Sequence, residues 1–177
     1  MLVNSGENIT IDSITYNFEN FGVGEAPDTT LIYLPLQRLL FTGDVVNDCM
    51  HPALIGGHSK EWLDQLKYIF KNYPDAKILF PGHGTPRSQT LLNEQLDYIN
   101  TFRSLVKAEI QSARDVDAKD PGNITEQGKQ QIISTLQKIY PNYIGVASIP
   151  IHALLDLNIN AISSELINES SNFDAKH

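Results

Sequence analysis

Two nearly continuous apolar runs, Arg38-Leu39-Leu40-Phe41-Thr42 and Ala76-Lys77-Ile78-Leu79-Phe80, limit what this chain can fold into more than any other feature. Short runs of this kind, bounded by turn formers, read as strands covered on both faces, in a sheet with helices beside it. Between them the period changes. Trp62, Leu63, Leu66, Ile69 and Phe70 fall on one face of a helix, with Ser59 as its N-cap and Glu61 in its first turn.

The flanking segments extend the pattern. Ile9-Thr10-Ile11 and Ile14-Thr15-Tyr16-Asn17-Phe18 are short alternating strands with Asp12-Ser13 as the turn between them. A Gly/Pro loop, Gly22 to Asp28, leads to a strand over Thr29–Leu34 that Pro35 ends. Beyond Phe80 the chain reads as helical. Thr85-Pro86 suits an N-cap followed by proline at the first helical position, and Leu92, Leu96, Ile99, Phe102, Val106 and Ile110 carry the apolar stripe. Residues 115–123 form a polar loop. Ile132, Ile133, Leu136, Ile139 and Tyr140 mark a further helix stopped by Pro141, and a last one runs from Pro150 to about Asn168, leaving a frayed tail. The expected division is 1–90, strands with one helix, and 91–177, a helical extension packed on the same domain.

Composition bounds the function. The chain has 177 residues, 41% hydrophobic and 19% charged, which suits a globular protein with a sizeable core. A net charge of −8 argues against binding nucleic-acid phosphates, and no apolar run is long enough to span a membrane. The N-terminus lacks the charged and apolar segments of a secretory signal, so a cytoplasmic protein is expected. Cys49, the only cysteine, excludes an intrachain disulfide, and no neighbouring base or cation in sequence activates it.

Chemistry concentrates just past the two apolar runs. The first continues into Gly43-Asp44 and the second into Pro81-Gly82-His83-Gly84. Sites collect at the carboxyl ends of strands, and glycine beside each polar residue lets backbone approach a ligand closely. An aspartate and a histidine together suit zinc, iron or manganese. Singly, each is more often a turn former or an ordinary histidine. Their placement at matching strand ends makes Asp44 and His83 candidate metal ligands.

The stretch Gly22-Val23-Gly24-Glu25-Ala26-Pro27-Asp28-Thr29-Thr30-Leu31-Ile32-Tyr33-Leu34-Pro35, running on to LLFTGDVV and then to ILFPGH, resembles the metallo-β-lactamase-fold hydrolases. That superfamily reads G-H-T-P-x-S/T, an apolar strand and proline, an apolar strand and G-D, a helix, and an apolar strand ending in G-H. The long helix and the Tyr-Pro that follow, from Leu91 to Tyr143, resemble one branch of it. The resemblance covers about the first 145 residues. It implies an α/β (α+β) fold, half of an αββα sandwich, with Asp44 bridging two metal ions and His83 bound to the second. Zinc is the first expectation, with iron or manganese as alternatives.

The departures from the family pattern are specific. The cluster H-x-H-x-D-H belongs to the other half of the fold and is absent, since no two of the five histidines lie within six residues of each other. Glu25 stands where a histidine is usual, either as an oxygen ligand favouring a harder metal or as an acidic loop residue. His51, on the loop after Asp44, either contacts substrate or metal or is a surface histidine. Asp28 reads as a loop or capping residue, His58 as part of a turn, and His152 as a core or interface residue. The resulting expectation is the C-terminal portion of a hydrolase acting on a small-molecule ester, thioester, amide or phosphoester. It would be inactive alone, with its metal site weak or empty. The alternative is a non-catalytic module that pairs with itself or with the missing half.

Overall fold

The computed structural model describes residues 5–117, 122–146 and 148–174. It is a mixed α/β chain. The elements are β1 (Asn8–Ile11), β2 (Ile14–Asn20), β3 (Thr30–Leu34), β4 (Leu39–Asn47), α1 (Ser59–Asn72), β5 (Ile78–His83), α2 (Thr90–Val116), α3 (Glu126–Ile139) and α4 (Ile151–Asp174). The chain divides into two compact units, one of 1–50 with 59–97 and the other of 51–58 with 98–177.

The first unit is built on a sheet of order β1-β2-β3-β4-β5, antiparallel until the last pair, where β5 runs parallel to β4. The turn from β1 to β2 uses Asp12 and Ser13 at φ 50° and 66°, the left-handed pair that a two-residue hairpin needs. β4 and β5 lie parallel because α1 intervenes and returns the chain to the same end of the sheet. Leu31, Leu40 and Leu79 are fully buried on the sheet, as are Trp62, Leu66 and Ile69 along α1, which packs on β4. Each such side chain contributes roughly 1.5–3 kcal/mol by leaving water. The Trp62 indole N–H donates to the Val45 carbonyl at 2.8 Å. The hydroxyls of Tyr68 and Tyr73 both donate to the Glu19 carboxylate, tying the end of α1 to β2.

Two expectations are corrected here. The strands are covered on one face rather than two. Phe18, Ile32, Phe41 and Phe80 are register partners across β2 to β5 and remain partly exposed, Phe41 by 37%, while Ile78 is 40% exposed. An antiparallel sheet with one helix layer has no second layer to cover that face. Thr85-Pro86 does not begin a helix. The Arg87 backbone exchanges hydrogen bonds with Leu79 at 2.8 and 3.2 Å, so the segment stays extended until α2 starts at Thr90.

The second unit holds the rest of α2 with α3 and α4. Ile99, Phe102, Val106, Ile132, Leu136, Leu154, Leu155, Ile159 and Ile162 form its core. Thr125 caps α3 by accepting the Gly128 N–H, and Tyr140 ends it just before Pro141. Asn158, fully buried, accepts from the Leu54 N–H and donates to the Pro52 carbonyl, which fixes the 51–58 segment on α4. α4 runs to Asp174 rather than stopping near Asn168, while residues 175–177 of the expected tail lie outside the described residues.

Candidate functional site

Parallel pairing puts the carboxyl ends of β4 and β5 side by side, and that is what brings Asp44 and His83 together. Gly43, at φ 52°, breaks the strand register between Phe41 and Asn47 and turns Asp44 out at the sheet edge. His83 Nε2 lies 3.5 Å from Asp44 Oδ1, with both side chains about half exposed, 53% and 50%. Gly82 makes this approach possible. A Cβ there would collide with Asp44 Oδ1 and stand 2.8 Å from the Asp44 backbone nitrogen.

Glu25 joins the same neighbourhood from the loop before β3. Gln65, on α1, donates to the Phe21 and Val23 carbonyls at 3.1 and 2.9 Å and so sets that loop. Gly24 is buried against the Gln65 amide, where a Cβ would collide. The Glu25 carboxyl is pushed above the usual carboxylate range, first by burial and then by the negative charge of Asp44, with His83 acting in the opposite direction. The three groups therefore sense one another. Even so, among the described residues no set of three or more His, Cys, Asp or Glu stands close enough to hold a metal ion. Chemically the donors are one carboxylate and one imidazole in contact, with a second carboxylate nearby. They fit part of a metal's ligand shell and leave most of it to other groups.

Behind this pair lies a network that no motif in the sequence announced. Asp48 donates its backbone N–H to the His83 carbonyl at 3.0 Å, and its carboxylate accepts from the Thr85 N–H at 3.2 Å and Arg87 Nη1 at 2.8 Å. Arg87 is held in turn by both oxygens of Glu94. Gly84 sits at φ 93°, where a Cβ would stand 2.5 Å from Asp48 Cβ, so the turn after His83 is moulded onto Asp48. Burial acts to raise the Asp48 pKa, but the Arg87 and Thr85 hydrogen bonds outweigh it and the carboxyl lies below its ordinary value. The available signal was positional. Asp48 and Arg87 each follow a candidate ligand by four residues.

Asn47 donates from Nδ2 to the Asp44 carbonyl at 3.0 Å, and Gln95 Oε1 accepts the Asn47 N–H at 3.2 Å. Cys49 is exposed, and its thiol pKa is raised, first by burial and then by its hydrogen bond to Asp48, which fits the expected lack of activation.

The remaining histidines are not part of this group. His51 is not a surface residue. It is 1% exposed, belongs to the second unit, and shares a 2.7 Å hydrogen bond between Nδ1 and the Tyr98 hydroxyl, with Tyr143 packed edge-on. Burial lowers its pKa to about 4. His58 is exposed just before α1. His152 is exposed on α4, with Nε2 3.0 Å from the Gln130 side-chain oxygen, which corrects the core reading. Asp28 lies exposed in the loop before β3, and His177 falls outside the described residues.

Comparison with known proteins agrees with this geometry. No family model matches the chain. A metallo-beta-lactamase type 2 of Bacteroides fragilis is 24% identical over 98 residues, covering 53% of this chain and 39% of that protein. A metallo-beta-lactamase family protein of Thermus thermophilus superposes with a TM-score of 0.61 at 16% identity, over 96% of this chain and 49% of the other. The sec-alkyl sulfatase PisA1 superposes with a TM-score of 0.56 at 17% identity, over 94% of this chain and 26% of the other. The chain thus spans about half the length of these relatives or less.

Proposed function

The chain belongs to the metallo-β-lactamase fold superfamily, and on that premise we propose that Asp44 and His83 are the downstream ligands of a metal-dependent hydrolase site. The rest of the ligand shell would come from a complementary half bearing the histidine cluster. The observation that carries this reading is the Asp44–His83 contact at adjacent strand ends, made possible by Gly82. Asp44 supplies a carboxylate oxygen and His83 its Nε2. Glu25, already biased toward its protonated form, would release its proton as a cation arrived. A bound divalent cation lowers the pKa of water enough to supply hydroxide at neutral pH for attack on an ester, thioester, amide or phosphoester. Zinc suits the imidazole, and a harder ion such as manganese or iron is favoured if Glu25 joins as a ligand.

By itself the chain is inactive on this reading, because two ligands in contact leave a metal weakly held. Among the described residues no helix is long and apolar enough to cross a membrane, and a cytoplasmic site of action with a small-molecule substrate is proposed. The test is complementation. The chain, co-expressed with a half-domain of this superfamily carrying H-x-H-x-D-H, is expected to acquire metal-dependent hydrolysis of a chromogenic ester or phosphodiester. Asp44→Ala should abolish that gain. A complemented pair that is folded and metal-loaded, yet equally active with Ala at position 44, would sink the proposal.

A further inference from the structure

The second reading of the chain, as a module that associates through its sheet, rests on a separate observation and holds whether or not the metal site does. One face of the sheet is apolar from edge to edge. Phe18, Ile32, Phe41 and Phe80 form one row across β2 to β5, and Leu39 and Ile78 belong to the next row, as direct register partners. Phe41 and Phe80 stack with ring centroids 4.5 Å apart. No charged side chain interrupts these rows, on a chain whose net charge is −8. All six remain partly or largely exposed, whereas Leu31, Leu40 and Leu79 on the opposite face are fully buried.

We infer that this face is covered by a second copy of the same chain, packed sheet to sheet across a two-fold axis. Strands about 4.8 Å apart and about 3.3 Å per residue make the face roughly 20 Å by 15 Å. Two such faces remove on the order of 1,000 Å² from water, the size at which a specific dimer becomes stable. A patch of several hundred Å² is more than a monomer ordinarily leaves open. Charge argues for this contact over others between two copies. Two acidic chains repel through most of their surfaces, and an uncharged face is where they can meet. An isologous contact pairs each aromatic row with its own equivalent, and two sheets of the same twist pack aligned about 30° apart. Any complementary half must then displace a copy to reach the same face.

Light scattering on the eluting intact chain at tens of micromolar tests this. The expected mass is twice the 19.8 kDa of one chain. Phe41→Asp and Phe80→Lys should each reduce it to one chain with an unchanged circular dichroism spectrum, while Asn93→Asp, on α2, should leave the dimer intact. If the face variants fail to fold, a spin label on Cys49, the only cysteine, reads the same point in the unaltered sheet. A defined intermolecular distance whose dipolar modulation fades as unlabelled chain is mixed in supports the dimer. A wild-type monomer at that concentration, a dimer that persists in both face variants, or a chain that pairs only when a histidine-bearing half is added would each overturn it.

Discussion

Gly82 decides more about the candidate site than either residue it serves. Its missing side chain is the space the Asp44 carboxylate occupies, between two parallel strand ends. Gly82→Ala should force the strands apart or swing Asp44 away, at a cost of about 1–3 kcal/mol typical of overpacking. Urea denaturation would measure the loss. A change below a few tenths of a kcal/mol would mean the carboxylate does not rest there. Asp44, His83 and their glycines were legible in the sequence because strand-end chemistry is local. His51 was not, because its burial against Tyr98 and Tyr143 depends on partners 47 and more residues away. Its titration provides a pH test. The folded pKa, about 4, lies below the unfolded value near 6.5, so folding favours the neutral ring. That stability is fully present above 6.5 and is lost as the pH falls toward 4, by about 3 kcal/mol. Denaturation midpoints at pH 7 and 4.5 should differ by more in the wild type than in His51→Gln. An equal drop in both would locate the acid sensitivity elsewhere.

At the level of elements, periodicity carried the reading well where one element sufficed. The α1 stripe, the Asp12-Ser13 turn and the Tyr-Pro stop of α3 are visible in the structure as expected. Two errors had one cause, the sheet's wider context. A nearly continuous apolar run does not reveal that one face lacks a covering layer in this chain. Thr85-Pro86 has the chemistry of a helix start, but Arg87 is claimed by Leu79 through its backbone and by Asp48 and Glu94 through its side chain. That clamp holds the turn that presents His83. Asp48→Asn should weaken it while leaving the helices intact, destabilising the chain by about 1–3 kcal/mol. Amide exchange of Thr85, whose N–H bonds Asp48, should accelerate well beyond that of residues in the core of α4. Uniform acceleration across the chain would instead mark a global effect.

For the whole molecule, the folded chain presents ligands at a sheet edge and an uncovered apolar sheet face, and both call for a partner. The family's order of motifs was readable over about the first 145 residues. What completes the metal's ligand shell was not readable, because those groups are not in this sequence. The central claim is that Asp44 and His83 act as one partial metal site. Calorimetric titration of the purified chain with zinc and with manganese tests it most directly. One weak, micromolar-range equivalent that disappears in both Asp44→Ala and His83→Ala, with the fold unchanged, is the predicted result. Binding that survives in both variants, or no binding at millimolar metal, would contradict it.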